Sequence, residues 1–307
     1  MALPEGDKMT ATETDFCGWY FLQNFLFSLE DNVSQYTATM TIPTLAALDT
    51  VKQWYNQTMS QADPRVSDFP LMRGPESLAA VIGLYLLAVS QGPRLMASYK
   101  PFQLNRLLVV YNLAMVALAT YIFTMCTIIM VGDGHSFICK TVNETLNGSH
   151  GGLTFSAGWW FMFMKILEFA DTIFFILRKK FGHVSFLHVY HHSTMAVISW
   201  IGFKFVPGGQ TIVYPFVNSF IHIIMYTYYA LAAMGPQVQK YLWWKRYLTI
   251  MQISQFVFLL AQTLTNALSE CDFPKIFSYT VFFYASTILL LFINFYRKAY
   301  LSKDKSQ

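Results

Sequence analysis

Seven stretches of this chain, near residues 76–96, 106–130, 157–177, 186–206, 211–234, 244–268 and 276–299, are mostly apolar and each runs for about 20 residues, the length that crosses a bilayer as a helix. Lipid offers no partners to backbone N–H and C=O groups, so a spanning segment must satisfy them internally, and a helix does so. The expected fold class is therefore an all-α polytopic membrane protein with seven transmembrane helices. Composition agrees: 54% of residues are hydrophobic and only 12% charged, too few charges to clothe a soluble globule of this size. The expected surroundings are the lipid bilayer, and no nucleic-acid partner is expected. Three parts follow: residues 1–75, an N-terminal segment that is partly disordered or interfacial; a membrane domain over 76–300; and a tail, 301–307.

Lysine and arginine orient such a chain, because cytoplasmic loops retain positive charge. With the C-terminus cytoplasmic, that side carries thirteen of them and the other side seven, with Lys165 inside a span. The four N-x-S/T sequons, at Asn32, Asn56, Asn143 and Asn147, all fall on the side opposite the basic loops. The N-terminus is accordingly expected in the lumen and the C-terminus in the cytoplasm. The tail "KDKSQ" places Lys303 and Lys305 as in a dilysine retrieval signal, pointing to the endoplasmic reticulum membrane. Four cysteines are too few for a disulfide framework, yet Cys139 and Cys271 occupy two loops on the oxidising side and are expected to pair. The Phe-rich segment around 16–27 reads as an interfacial helix or a poorly ordered extension.

Ionisable side chains inside a bilayer are costly unless paired or turned to a cavity, so the polar residues of the spans carry the functional information. In "HVYHH", His188, His191 and His192 stand at i, i+3 and i+4 and project onto one helix face. Packing does not need three co-facial imidazoles. A metal site is the stronger rival, but histidine-rich di-iron sites draw on several such boxes, and of the chain's seven histidines only His222 is a further intramembrane one. No metal is therefore expected.

In "KILEFADT", Lys165, Glu168 and Thr172 share a face and Asp171 flanks it. They can neutralise one another as an ion-pair network, or the carboxylates can orient a neighbouring histidine. "NSFIHIIMYTYY" puts Asn218, His222, Tyr226 and Tyr229 near one face, where His222 can meet the box across a cavity. Thr249, Gln252 and Gln255 form a weaker polar stripe suited to helix–helix hydrogen bonds. Lys179, Lys180, Lys245 and Arg246 are candidates for contacting the phosphates of a coenzyme at the cavity mouth, although topogenic charge explains them equally well.

"KILEFADT", "HVYHH", "NSFIHIIMYTYY" and "TIMQISQ", in that order on successive spans, resemble the signature set of the very-long-chain fatty acid elongases, the ELOVL family, over about residues 60 to 300. The resemblance implies that six of the seven helices form a barrel around an enclosed acyl tunnel open to the cytoplasm. It implies condensation of a long-chain acyl-CoA with malonyl-CoA, releasing carbon dioxide and CoA, with no tightly bound cofactor. Carried over position by position, His191 would form an acyl-imidazole and His222 would act opposite it. His188, His192, Lys165, Glu168, Asp171 and Asn218 would shape and charge the site. Partners implied by the family are the reductases and dehydratase of the elongation cycle, and a homo-oligomer is left open. Segments near the fifth span resemble the branch acting on polyunsaturated and very long chains, but His183 replaces a glutamine frequent there five residues before the box. Two other readings remain: a metal-dependent membrane oxidoreductase, and a lipid or acyl-CoA binding or transport protein.

Overall fold

The computed structural model describes residues 43–301, and every regular element among them is helical. Asn32, the Phe-rich stretch and the tail lysines Lys303 and Lys305 lie outside the described residues. The helices are α1 (Pro43–Met59), α2 (Glu76–Leu95), α3 (Asn105–Gly132), α4 (Val142–Leu146), α5 (Gly151–Leu167), α6 (Phe169–Leu177), α7 (Phe186–Phe205), α8 (Val213–Ala233), α9 (Pro236–Gln239), α10 (Lys245–Leu268) and α11 (Lys275–Tyr296). By length and apolarity, five segments can cross a membrane: Glu76–Leu95, Asn105–Gly132, Gly209–Ala233, Lys245–Leu268 and Lys275–Leu301.

The two remaining expected spans differ for identifiable reasons. The third is not one helix, because it is interrupted at Glu168, where the N–H of Asp171 bonds the Glu168 carbonyl at 3.1 Å in an i,i+3 contact. The resulting α5 and α6 have 17 and 9 residues. The fourth, α7, is 20 residues long, but three histidines and Lys204 dilute its apolar character.

Among the described residues packing forms a small apolar core of Val206, Cys271, Phe273, Phe277 and Val281 and two large ones. One gathers around α3, α8 and α10, with α3 and α8 in contact along their length; the other joins α2, α5, α6 and α7. A strap over residues 63–73 closes the second core. Its carbonyls at Pro70, Leu71 and Met72 accept in turn from Trp159 Nε1 at 3.0 Å, Trp200 Nε1 at 2.9 Å and Lys204 Nζ at 2.7 Å. Leu71 takes φ 68°, a left-handed conformation that turns three successive carbonyls toward these donors. Val66 and Met72 are fully buried beneath them.

At one end of the bundle Cys139 and Cys271 are joined in a disulfide with Cα atoms 5.6 Å apart. The same end is tied by Gln210, whose amide donates to the Ser136 carbonyl at 2.8 Å and accepts from Gln262 at 2.7 Å. Gly209, at φ 60°, lies so close to the backbone of Lys140 and Thr141 that a Cβ would come within 2.7 Å of a carbonyl oxygen, and its N–H bonds Thr145 Oγ1 at 2.9 Å. These ties hold together the helix ends around the disulfide.

Candidate active site

The break between α5 and α6 delivers Glu168 to the centre of the molecule. Lys165 and Glu168 are each 1% exposed, and their ion pair is 2.7 Å long. Lys165 Nζ also donates to Asn218 Oδ1 at 2.7 Å and lies 3.4 Å from His222 Nε2, so its three hydrogens are directed at three acceptors on two helices. An ammonium is donor-only, so the atom it meets on Asn218 must be the amide oxygen, and the Asn218 NH₂ group points the other way.

His222 is turned into this cluster. Its Nδ1 lies 2.8 Å from the Asn218 carbonyl, an acceptor, and therefore carries a hydrogen. Its Nε2 sits at a junction, 3.2 Å from Glu168 Oε1 and 3.4 Å from Lys165 Nζ, where it can hold or release a proton.

The three box histidines meet three different neighbours. His188 Nε2 is 2.8 Å from Thr172 Oγ1. The His192 ring lies 4.3 Å from that of His188, and its Nδ1 is 3.7 Å from Glu168 Oε2, too far for a hydrogen bond. His191 lines the internal cavity, and among the described residues no side chain hydrogen-bonds its ring nitrogens. Asp171 accepts from Tyr226 at 2.8 Å, and Tyr226 sits edge-on between Tyr111 and Tyr229.

A mainly apolar cavity lies beside this cluster. It begins at His191, Asn218 and Gln255 and follows α7 past Met195 and Gly202 to Val206 and Gly208, toward the disulfide end. Its wall is mainly apolar. Gln255 is an exception: it is 6% exposed and its amide oxygen has no partner among the described residues.

Other expected residues lie away from this centre. Gln252 donates to Met225 Sδ at 3.4 Å, a contact between helices, whereas Thr249 reaches the Lys245 carbonyl of its own helix at 3.5 Å. Lys179 donates to the Ala97 carbonyl and Arg246 to Tyr296, whereas Lys180 and Lys245 sit beside His183, at the end opposite the disulfide. His183 stacks on Phe175 with ring centroids 5.1 Å apart; burial, followed by the charges of Lys245, Lys180 and Arg178, lowers its pKa. Asn56, Asn143 and Asn147 are exposed. Two residues escaped the sequence reading: Tyr85 of α2, which bonds Thr172, and Tyr111 of α3, which donates to the Leu167 carbonyl at the helix break. A single tyrosine in an apolar span carries no signal that separates it from a lipid-facing one.

Residues 70–307 match the family described as GNS1/SUR4 (ELO). The chain belongs to the GNS1/SUR4 family. Very long chain fatty acid elongase 4 of Homo sapiens is 44% identical to it over 259 residues, covering 84% of this chain and 82% of that protein. Very long chain fatty acid elongase 7 of Drosophila melanogaster is 42% identical over 253 residues, covering 82% and 77%. Very long chain fatty acid elongase 1 of Homo sapiens is 38% identical over 258 residues, covering 82% and 91%. In this GNS1/SUR4 chain the family match begins inside the strap and takes in the whole ion cluster, the histidine box and the cavity.

Proposed function

We propose that the chain is a 3-oxoacyl-CoA synthase that condenses a long-chain acyl-CoA with malonyl-CoA, the first step of very-long-chain fatty acid elongation. The observation that carries this reading is His191, whose ring nitrogens have no hydrogen-bond partner among the described residues, at the head of a mainly apolar cavity that runs toward the disulfide end. Such a cavity suits an acyl chain, since each buried methylene contributes about 0.8 kcal/mol.

In the first half-reaction a His191 ring nitrogen attacks the thioester carbonyl, the C–S bond breaks, and the departing CoA takes up the proton that the imidazole gives off. In the second, malonyl-CoA loses carbon dioxide and the electron pair passes into an enolate. The enolate carbon bonds to the acyl carbon, the C–N bond breaks, and the departing imidazolate takes one proton, supplied in net from solvent, which restores His191. Developing negative charge needs fixed donors. Asn218 lines the cavity beside His191, and Lys165, by holding its oxygen, leaves its N–H groups free for that task. The His222 junction with Glu168 and Lys165 serves as a local proton store.

We place the protein in the endoplasmic reticulum membrane on the strength of its dilysine-like tail, with the disulfide end lumenal and the basic end cytoplasmic on the strength of its lysine and arginine distribution. In that arrangement α5–α6 and α7 complete a set of seven spans, six of them surrounding the cavity. Purified protein incubated with radiolabelled malonyl-CoA and a panel of long acyl-CoAs tests the reading. Labelled 3-oxoacyl-CoA without added metal or redox cofactor is the expected product, and His191→Ala abolishes it while the protein remains folded. Acyl-CoA binding without product from the wild type would overturn the proposal.

A further inference from the structure

Tyr85 is the polar member of the otherwise apolar face that α2 buries, alongside Leu78 and Val89. It is 4% exposed, and its ring stacks on Phe169 at 4.2 Å with 12° between planes. The two helices touch closely further along, where a Cβ at Gly92 would come within 2.8 Å of Ile176. Burying a hydroxyl among apolar groups is unfavourable unless it is hydrogen-bonded. Here the Tyr85 hydroxyl lies 3.1 Å from Thr172 Oγ1, and the same Thr172 oxygen lies 2.8 Å from His188 Nε2. Thr172 is fully buried.

We propose that Tyr85 is a positioning residue for the histidine box, acting through Thr172 to fix the tautomer and orientation of His188. A threonine hydroxyl has one hydrogen and could accept twice, but among the described residues Tyr85 and His188 are the only partners of this fully buried oxygen, so its hydrogen must go to one of them and the chain runs in a single direction. A phenol is a stronger acid than an aliphatic alcohol and donates more readily. Tyr85 therefore donates to Thr172, Thr172 donates to His188 Nε2, and His188 carries its hydrogen on Nδ1. The fixed His188 ring packs on His192, and the His192 ring lies 5.4 Å from that of His191, so the chain from α2 ends at the cavity wall. Tyr85 does not line the cavity and touches no reacting atom.

The consequence for catalysis rests on the proposed condensation, whereas the tautomer does not, and the test separates the two. Protein with ¹⁵N-labelled histidine, examined by NMR without substrate and with the His188 signal assigned from a His188→Asn variant, should show the Nδ1–H tautomer. Tyr85→Phe keeps the stacked ring and removes only the hydroxyl. It should give a mixed or exchanging His188 signal, as should Thr172→Val, and Thr172→Ser should restore the wild-type pattern. In the condensation assay Tyr85→Phe should lower kcat about 3- to 10-fold, the loss of one neutral hydrogen bond, with KM for both CoA substrates unchanged. An identical His188 signal in wild type and Tyr85→Phe would overturn the proposal. A clear tautomer switch in a protein that makes no 3-oxoacyl-CoA would overturn the function and leave the positioning role standing.

Discussion

Replacing Lys165 by methionine keeps the length of the side chain and removes the charge that holds the centre together. In the native protein Lys165 Nζ makes 2.7 Å contacts to Glu168 Oε1 and to Asn218 Oδ1, and both members of the ion pair are 1% exposed. Methionine leaves the Glu168 carboxylate buried, with the His222 imidazole 3.2 Å away as its nearest charge-bearing partner. Breaking a buried pair by removing one partner costs about 3–5 kcal/mol, because the other charge is left without compensation. That is roughly a hundred- to a few-thousand-fold in the folding equilibrium. The double variant Lys165→Met/Glu168→Gln holds no stranded charge, so it should recover most of the stability, with a coupling of about 2 kcal/mol or more. It should not recover malonyl incorporation, because nothing then fixes the Asn218 amide or the His222 junction. Equilibrium unfolding in detergent micelles, paired with the condensation assay, measures both. A single variant within about 1 kcal/mol of wild type, or a double variant no more stable than the single, would refute the claim that the carboxylate depends on this lysine for its charge balance.

Three further outcomes follow from other parts of the molecule. Cys139→Ala should cost about 4–5 kcal/mol on a chain-entropy estimate, because the disulfide spans 132 residues, and wild type unfolded in reductant should match it. Gly202 lines the cavity and its added Cβ would meet Phe277 at 3.1 Å, so Gly202→Leu should fill the channel beyond His191. Chromatography of the products should then show a shift to shorter chains by at least one two-carbon step while short acyl-CoAs are still elongated. His135, in the loop after α3, is held down to about 4 from 6.5 by burial first and by Lys140 second. The unfolded chain takes up that proton below about 6.5 and the folded one does not, so stability is greatest above that pH and falls as pH drops toward 4; His135→Gln should flatten this limb in melts taken across the range.

The apolar stretches were legible because bilayer length and hydrophobicity leave a direct mark on sequence, and five of them correspond to helices long and apolar enough to cross a membrane. The break at Glu168 was not legible: the residues around it keep a helical pattern, and nothing in side-chain spacing reports that one backbone bond has slipped to i,i+3. The co-facial spacing of His188, His191 and His192 was readable, but spacing gives a direction and not a neighbour. Rings projecting to one side of α7 end on Thr172, the cavity and Glu168 respectively, because three different elements pack there. Spacing allows His222 to meet the box across a cavity, but does not report that Lys165 and Glu168 stand beside its Nε2, with the other Glu168 oxygen toward His192 of the box.

The slipped bond at Glu168 explains why a carboxylate placed in a helix can serve two other helices at once. In a continuous α5–α6 helix, Glu168 would stay in line with Lys165 and Thr172 along a single face. At the interruption its two oxygens separate in role. Oε1 belongs to the cluster with Lys165 and His222, and Oε2 points toward His192 Nδ1 across 3.7 Å. Among the described residues both Oε2 and Nδ1 are buried without a partner, an arrangement that is costly for each and that a small approach would relieve by making a charge-assisted hydrogen bond. That bond would join the ion cluster to the ring beside His191.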